Sequence, residues 1–384
     1  MKQSIRLGRI AGIPVGVNWS VVIIAALIGW TLAASVLPEM APGSSTAAYW
    51  TAGAVAASLF FASLLTHELA HALVGRRDGV GVVSITLWLL GGVSQFQSEP
   101  TSADAELRIA LAGPLTSLGL ALGFGALATL GSALQLPELV SGSLFWLCAI
   151  NLMLGLFNLL PAYPLDGGRV LRAAVWHRNG DRLAATRTAA RVGHVLAWVL
   201  IVFGLLLALV GVVLSGLWFV LIGWFLDNAG RAEAAAVVEQ STLGSLPVAR
   251  LMSPAPVTVA RDTTVEELVH GYVLGRHHSA FPVVAEAGRP VGLVSLDHVR
   301  RVPPERRAVL TVGEIAEPLP SVPVVAPGDT GIDALDRMRR AGVSRALVID
   351  DQGHLVGIVS HSDLVRALQI TVPPPPPPPR SRDR

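Results

Sequence analysis

Six apolar runs, each long enough to cross a lipid bilayer, are the feature that most constrains how this chain can fold. A membrane-spanning helix needs about 20 mainly apolar residues. Such runs lie near residues 18–37, 48–74, 107–131, 143–162, 193–215 and 216–236. Charged residues make up only 15% of the 384 residues, whereas soluble domains carry about a quarter. We therefore predict an α-helical polytopic membrane domain with six transmembrane helices over residues 1–240.

The positions of the basic residues predict how these helices are oriented, because lysine and arginine are concentrated on the cytoplasmic side of membrane proteins. The opposite connections, 38–47 and 132–142, carry only Glu39 and Glu138 as charged residues. The first run lacks a small-residue cleavage site and is expected to remain as a span. Basic residues precede the first run and follow the second and fourth: Lys2, Arg6, Arg9, Arg76, Arg77, Arg169, Arg172, Arg178, Arg182, Arg187 and Arg191. This distribution predicts that both termini are cytoplasmic.

A shorter apolar segment, residues 81–97, lies between the second and third runs and is too short to cross the bilayer. The pair Gly91-Gly92 interrupts it between β-favouring residues, a pattern that predicts a β-hairpin. Non-helical backbone at membrane depth is tolerated only where protein or a cavity covers it. We therefore expect a re-entrant β-hairpin.

The composition changes after residue 240. Short β-favouring segments alternate there with amphipathic helices and polar turns, as in a soluble α/β unit. The segments 241–308 and 309–372 are similar to each other, which indicates an internal repeat. Residues 373–384, PPPPPPPRSRDR, are predicted to be a disordered polyproline and basic tail.

Two histidines and a glutamate interrupt the second apolar run in the sequence HELAH. Residues four apart share one face of a helix, so His67 and His71 are predicted neighbours. With Glu68 between them they form the H-E-x-x-H arrangement, in which two imidazoles bind zinc and the glutamate acts on water. A polar helix end at the membrane surface is the alternative. Glu68 precedes Arg76 by eight residues, or about 12 Å at 1.5 Å per residue, and an ionisable group at that depth indicates function.

A hydrolytic zinc site needs a third protein ligand besides its open position. The fourth apolar run returns to the cytoplasmic side and ends in NLLPAYPLDGG, residues 158–168. Pro161 and Pro164 are expected to interrupt the helix before Asp166, and interrupted membrane helices direct ligands into cavities. Asp166 is therefore the predicted third ligand, and Asn158 lies upstream of it.

HELAH and NLLPAYPLDGG, in this order and context, resemble the site-2 protease family of intramembrane zinc metalloproteases, in the branch with a C-terminal CBS pair. LAGPLTS, residues 111–117 at the third run, supports the resemblance. It implies one zinc ion per chain on His67, His71 and Asp166, with Glu68 as general base. It also implies that Asn158 is an auxiliary residue that holds the substrate backbone or the oxyanion.

The resemblance further implies a transmembrane protein substrate, such as a membrane-tethered transcription regulator or an anti-sigma factor, in the inner membrane of a prokaryote. The hairpin at Gly91 and Gly92 is then a candidate edge for adding a substrate strand. Its alternative role is to plug the cavity from the cytoplasm. Ser117 departs from the asparagine that many members carry, which leaves the local hydrogen bonding open.

The two C-terminal repeats resemble CBS modules, which often pair to bind adenine nucleotides. The second repeat contains GIVSHSD, which offers Ser360 and Asp363 to the ribose and phosphate. The first contains GLVSLDH, with Asp297 one residue early and His298 at the acidic position. The resemblance therefore implies at most one nucleotide site. A packing or dimerisation module without a ligand is the alternative. CBS pairs commonly associate as dimers, so a homodimer through these modules is one candidate assembly, and the oligomeric state stays open.

The rival function is a CBS-regulated transporter or channel that uses His67, Glu68, His71 and Asp166 as an ion path. The chain has no inverted repeat of its spans, and these residues fit one tetrahedral site better than a path. A metal-binding but inactive relative is a third reading, and the presence of Glu68 disfavours it. The net charge is only +2 and no basic run is interleaved with aromatic residues, so a nucleic-acid partner is excluded.

Overall fold

The computed structural model describes residues 4–88, 91–274, 278–285 and 288–371. Contacts divide the chain into two units, Met1–Ala234 and Ala235–Arg384. The predicted tail at 373–384 lies outside the described residues.

Six helices of the described chain are long and apolar enough to cross a membrane. The predicted polytopic fold is therefore confirmed. The first is composite: α1 (Ser20–Thr31) continues through a π-helical turn, Leu32–Val36, into α2 (Leu37–Met40). The others are α3 (Thr46–Arg77), α4 (Ala103–Ala133), α5 (Glu138–Asn158), α7 (Arg182–Leu209) and α8 (Val213–Gly244). A shorter helix, α6 (Asp166–Asn179), separates α5 from α7.

The helices pack through small residues and present large apolar side chains outward. Leu122 and Leu209 are 76% and 82% exposed, as expected of side chains that face lipid. Between α7 and α8, a Cβ atom on Gly204 would lie 2.5 Å from the carbonyl oxygen of Gly216. Close approach through glycine is a common way for membrane helices to associate.

A four-stranded sheet accompanies these helices, in the spatial order β1 (Ile5–Ile10), β2 (Ile13–Val17), β3 (Val82–Trp88) and β4 (Gly91–Phe96). Strands β2 and β3 are parallel, and the other two pairings are antiparallel. Its buried side packs against α3. Strand β4 is paired only with β3 among the described strands, so its outer edge is open.

The predicted hairpin is present in β3 and β4, but the glycine pair has a different place in it. Trp88 pairs with Gly91 and Leu87 pairs with Gly92. The glycines therefore begin the second strand and do not form the turn. At Gly92 the side chain of Glu68 leaves no room for a Cβ atom, whereas nothing lies within 4 Å of a Cβ atom at Gly91. The re-entrant position of the hairpin stays a prediction.

The second unit contains two four-stranded sheets. The strands, in chain order, are β5 (Ser253–Pro254), β6 (Val259–Ala260), β7 (Ala280–Val284), β8 (Pro290–Ser295), β9 (Glu317–Pro318), β10 (Val324–Val325), β11 (Arg345–Ile349) and β12 (Leu355–Ser360). The helices are α9 (Val265–Leu268), α10 (Leu296–Arg300), α11 (Val312–Ile315), α12 (Gly331–Ala341) and α13 (His361–Thr371).

The two repeats of this unit exchange strands. One sheet has the order β6-β7-β8-β9 and the other has the order β10-β11-β12-β5. Strand β9 belongs to the second repeat but completes the sheet of the first, and β5 does the converse. The repeats therefore form one interlocked α/β pair, as the internal similarity predicts.

Candidate metal centre

His67 and His71 lie one turn apart on α3 and are almost completely buried, with 3% and 5% of their surface exposed. Their Nε2 atoms are 3.2 Å apart. Asp166 is the first residue of α6, and its Oδ2 atom lies 3.2 Å from Nε2 of His67 and 3.1 Å from Nε2 of His71. The structure thus brings Asp166 to two histidines that lie 99 and 95 positions earlier in the sequence.

The spacing of these three atoms fits a metal ion. A tetrahedral zinc ion bound at about 2.0–2.1 Å separates its ligand atoms by about 3.3 Å. Two imidazole nitrogens and one carboxylate oxygen also match the ligand types of a catalytic zinc site, which keeps its fourth position for water or substrate. In the described part of the chain, these residues alone form a group of three or more side chains that could hold a metal.

Asp166 reaches the histidines because the chain turns sharply between α5 and α6. Helix α5 ends at Asn158, and α6 begins directly at Asp166 after a short loop. A Cβ atom on Gly167 would collide with the carbonyl oxygens of Leu159 and Leu160. The glycine after Asp166 is therefore required for the loop to fold back over the start of the helix.

Helix α4 orients both imidazoles. Nδ1 of His71 donates to the carbonyl oxygen of Ile109 at 2.6 Å, and Nδ1 of His67 lies 2.8 Å from Oγ of Ser117. A carbonyl only accepts, so Nδ1 of His71 carries a hydrogen, and in the neutral ring Nε2 then offers its lone pair to a metal. Hydrogen-bond partners on the other ring nitrogen fix the orientation of metal-binding histidines. Ser117, whose role was open from the sequence, is fully buried against His67.

Gly113 on α4 provides the space in which the two imidazole Nε2 atoms meet. A Cβ atom at this position would collide with Nε2 of His71 and would lie 2.5 Å from Nε2 of His67. The absence of a side chain thus lets α4 lie directly against both rings. Any other residue would displace the imidazoles.

Glu68 lies beside the hairpin. Its side chain accepts a hydrogen bond from Ser94, with Oγ 2.8 Å from Oε2. A Cβ atom on Gly92 would collide with the Glu68 side chain, so the glycine allows β4 to approach it. The strand with the open edge is therefore the one that contacts Glu68.

Asn158 has a more local contact. Its Nδ2 atom donates to the carbonyl oxygen of Leu154, one turn back on α5, at 3.0 Å. No described hydrogen bond joins its side chain to the histidines or to Asp166. Its auxiliary role stays a prediction.

Sequence reasoning missed three contributors to this centre: Ile109, Gly113 and Ser94. LAGPLTS contains Gly113 and Ser117, so a signal for α4 was present. Ile109 contributes only its carbonyl oxygen, which any residue could supply. Ser94 carries no sequence signal apart from its place two residues after Gly92.

Two clefts lie in the second unit. Ser360 and Asp363 line one of about 350 Å³, together with Arg345. Asp363 Oδ2 accepts from the backbone N–H of Ser360 at 3.0 Å and from its hydroxyl at 2.6 Å, so the carboxylate already caps α13. The corresponding cleft of the first repeat, about 660 Å³, is lined by Asp297, His298 and three arginines: Arg300, Arg301 and Arg345.

A bundle of apolar helices that encloses two histidines, a glutamate and an aspartate in this arrangement defines the class of membrane-embedded metallopeptidases. Comparison with known proteins agrees. Residues 55–140 and 129–202 match the model of peptidase family M50, and residues 248–305 and 312–370 each match the CBS domain. The chain belongs to peptidase family M50, the site-2 proteases.

Individual relatives cover almost the whole chain. The Mycobacterium tuberculosis protein named "Putative zinc metalloprotease Rip3" is 45% identical over 371 residues, which are 96% of this chain and 94% of the relative. "Zinc metalloprotease MJ0392" of Methanocaldococcus jannaschii is 32% identical over 371 residues, 96% of this chain and 97% of the relative. The solved structure of the "Site-2 Protease from Methanocaldococcus jannaschii" is 30% identical and covers 60% of this chain and 94% of its own, with a TM-score of 0.39.

Family membership identifies this protein as a multi-pass membrane zinc metalloprotease with tandem CBS domains. Family membership favours a peptidase over the alternative function, a transporter or channel that uses the same polar residues as an ion path. Site-2 proteases act on membrane-embedded substrates, so the reaction class is intramembrane proteolysis.

Proposed function

We propose that this protein is an endopeptidase that cuts a transmembrane segment of another protein at one zinc ion held by His67, His71 and Asp166. The mutual separation of 3.1–3.2 Å among the three ligand atoms is the observation that carries the proposal. When bound, zinc would lower the pKa of a coordinated water and polarise the scissile carbonyl. The protein supplies the ligand geometry and the proton transfers.

Glu68 is the general base and then the general acid. It takes a proton from the attacking water and returns it to the leaving amine. Ser94 donates to Oε2 of Glu68, which leaves Oε1 as the oxygen that exchanges the proton. Asn158 is assigned the auxiliary role of holding the substrate backbone, from its position directly before the loop that leads to Asp166.

The open edge of β4 receives the substrate as an added strand. A substrate helix has its carbonyl groups hydrogen-bonded internally, so it must unwind before attack. An unpaired strand edge supplies the backbone partners that an extended segment needs. Strand β4 carries both Gly92 and Ser94, which contact Glu68, so a strand added to it would pass close to the general base.

The first experiment measures zinc per chain in detergent-purified wild type, Asp166→Ala and Asp104→Ala. Asp104 is an exposed aspartate on α4 that pairs with His177, so its variant is the control for loss of a carboxylate. We expect about one zinc ion in the wild type and in Asp104→Ala, and little in Asp166→Ala. Zinc that is indifferent to Asp166 would contradict the ligand assignment.

Glu68→Gln separates catalysis from metal binding. The variant keeps the ligand set, so we expect normal zinc content and loss of cleavage of a membrane-embedded reporter substrate. Cleavage at wild-type rate by Glu68→Gln would exclude Glu68 as the base.

The natural substrate is proposed to be a membrane-tethered transcription regulator or an anti-sigma factor, cut in the inner membrane of a prokaryotic cell. Both termini of the protease are placed in the cytoplasm, as the arginine distribution favours. Co-expression with single-span regulators of the source organism, followed by detection of the released soluble part, tests this. The proposal is contradicted if the wild-type protein cuts none of these regulators although a soluble protease does cut them.

The CBS pair, proposed as modules 241–308 and 309–372, is the site of regulation by an adenine nucleotide and of homodimer formation. Ser360 and Asp363 line a cleft with Arg345, whose guanidinium group suits a phosphate. Titration of full-length protein with AMP, ADP and ATP, with Asp363→Ala as the variant, tests this. Equal binding by both proteins would exclude the Asp363 site.

A further inference from the structure

A buried ion pair that the proposed reaction does not use lies between α4 and α6. Nε of Arg172 donates to Oε1 of Glu106 at 2.6 Å, and Nη2 of Arg172 donates to the same oxygen. Both residues are essentially inaccessible, with 2% and 0% exposure. Removing two charges from water is costly, and apolar side chains of similar size often stabilise a core equally well. A buried ion pair of this kind is therefore weak evidence of a role in stability alone.

Glu106 continues the face of α4 that holds the imidazoles. Ile109, Gly113 and Ser117 follow it at spacings of three, four and four residues, so all four positions form one stripe along the helix. The carbonyl oxygen of Ile109 accepts from His71, and Ser117 contacts His67. Helix α4, which orients both histidines, thus carries Glu106 one turn before Ile109, the first of its residues to contact them.

Arg172 belongs to the helix that carries Asp166. The two residues are six positions apart on α6, or about 9 Å along its axis. The guanidinium carbon of Arg172 also lies 5.7 Å from the ring centre of Tyr163, in the loop just before Asp166. Arg172 therefore contacts α4 through Glu106 and the Asp166 loop through Tyr163.

We propose that Glu106 and Arg172 are positioning residues that fix α6 on α4, so that the Asp166 carboxylate reaches His67 and His71 at ligand distance. This inference rests on the proposed assignment of those three residues as zinc ligands. The pair sets the distance between two helices that contribute different ligands to one metal ion. It does not contact the metal or the substrate.

The test is the zinc affinity of detergent-solubilised full-length protein, measured by competition with a chromophoric chelator well below the melting temperature. Glu106→Gln removes the negative charge with little change of shape, and Arg172→Lys keeps the positive charge but loses the two-nitrogen contact. We expect both to weaken zinc binding by about 10-fold, at the lower end of the 10–100-fold typical of outer-shell changes. Arg108→Gln is the matched control, because Arg108 lies on the same helix in an exposed ion pair with Asp78.

The outcomes separate positioning from simple stabilisation. A purely structural pair would lower the melting temperature but leave the zinc affinity of the folded protein unchanged, which would overturn the proposal. If Glu106→Gln does not fold, Arg172→Lys decides alone. Asp166→Ala is measured in parallel: if it keeps wild-type zinc affinity, the ligand assignment itself has failed. If only Asp166→Ala loses zinc, the positioning role has failed.

Discussion

The hydroxyl of Ser94 donates to the carboxylate of Glu68, with 2.8 Å between Oγ and Oε2. The bond joins β4, the strand whose outer edge is open, to the glutamate of the H-E-x-x-H segment on α3. Glu68 is itself buried, with 8% of its surface exposed. The contact therefore fixes the carboxylate beside strand β4.

Ser94→Ala should reduce cleavage without changing zinc content. Loss of one hydrogen bond to a charged group costs about 1.5–3 kcal/mol when that bond matters, and about 1.4 kcal/mol corresponds to a tenfold change in rate. We expect kcat for a membrane-embedded substrate to fall by about 10-fold or more. Ser84→Ala is the control, because Ser84 lies on β3 and bonds to Gln95 instead. Equal losses in the two variants would mean that the sheet, and not the Glu68 contact, is responsible.

Ser117→Ala should weaken zinc binding. The variant removes the partner of His67 Nδ1 and leaves a buried ring nitrogen without it, so we expect a 10–100-fold loss of affinity, as is typical for outer-shell partners. Thr116→Ala provides the comparison, since the neighbouring hydroxyl donates to the carbonyl oxygen of Ala112 and does not contact the histidine. A chelator-competition titration measures both. Unchanged affinity in Ser117→Ala would show that the hydrogen bond between Ser117 and His67 does not support zinc binding.

Gly113→Ala should abolish zinc binding, because the added methyl group would occupy the space between the two imidazole Nε2 atoms. The expected loss exceeds about 100-fold, beyond that of an outer-shell change. Gly119→Ala on the same helix is the control, since a Cβ atom there meets nothing within 4 Å. Metal analysis of the two purified variants gives the answer. Retention of zinc by Gly113→Ala would show that the rings can move aside.

Gly92→Ala should have the opposite profile, with zinc retained and cleavage lost. The added methyl group would collide with the Glu68 side chain, which supplies its three nearest atoms. We expect cleavage to fall by at least about 10-fold, or about 1.4 kcal/mol in the barrier. Val93→Ala is the comparison, because alternate residues of a strand point to opposite faces. The idea fails if both variants cleave at the wild-type rate.

The six apolar helices and the close approach of His67 to His71 could be predicted from the sequence because each depends on a local pattern. A bilayer demands long apolar runs, and HELAH places two imidazoles on one helical face. The span ends were less accurate. The fifth membrane-spanning helix, α7, begins at Arg182, well before the predicted position near residue 193. Its first turns are polar, so the helix starts ahead of the apolar run.

The contribution of α4 could not be predicted in the same way. Ile109 acts through its backbone and Gly113 through the absence of a side chain, so the residue type at these positions does not predict the role. The buried pair of Glu106 and Arg172 was also hidden: arginines in this region predicted only which side of the membrane is cytoplasmic. Such contacts depend on which helices become neighbours, and hydropathy does not determine that.

The hairpin illustrates the same limit at shorter range. Gly91-Gly92 predicted that the chain reverses, and it does. However, two glycines can serve either a turn or a close approach, and the pattern alone does not distinguish them. The side chain of Glu68, from a distant part of the sequence, decides that Gly92 lies in the strand.

The order in which the ligand residues occur along the chain has a consequence for how the protein is made. Asp166 follows His71 by 95 residues, with two membrane-spanning helices, α4 and α5, between them. A ribosome that has delivered only the second helix has produced both histidines and the glutamate but no complete zinc site. The proposed centre can assemble only after the third and fourth helices have entered the bilayer and α6 has docked. A growing chain therefore carries no complete hydrolytic site among the other newly inserted membrane proteins around it.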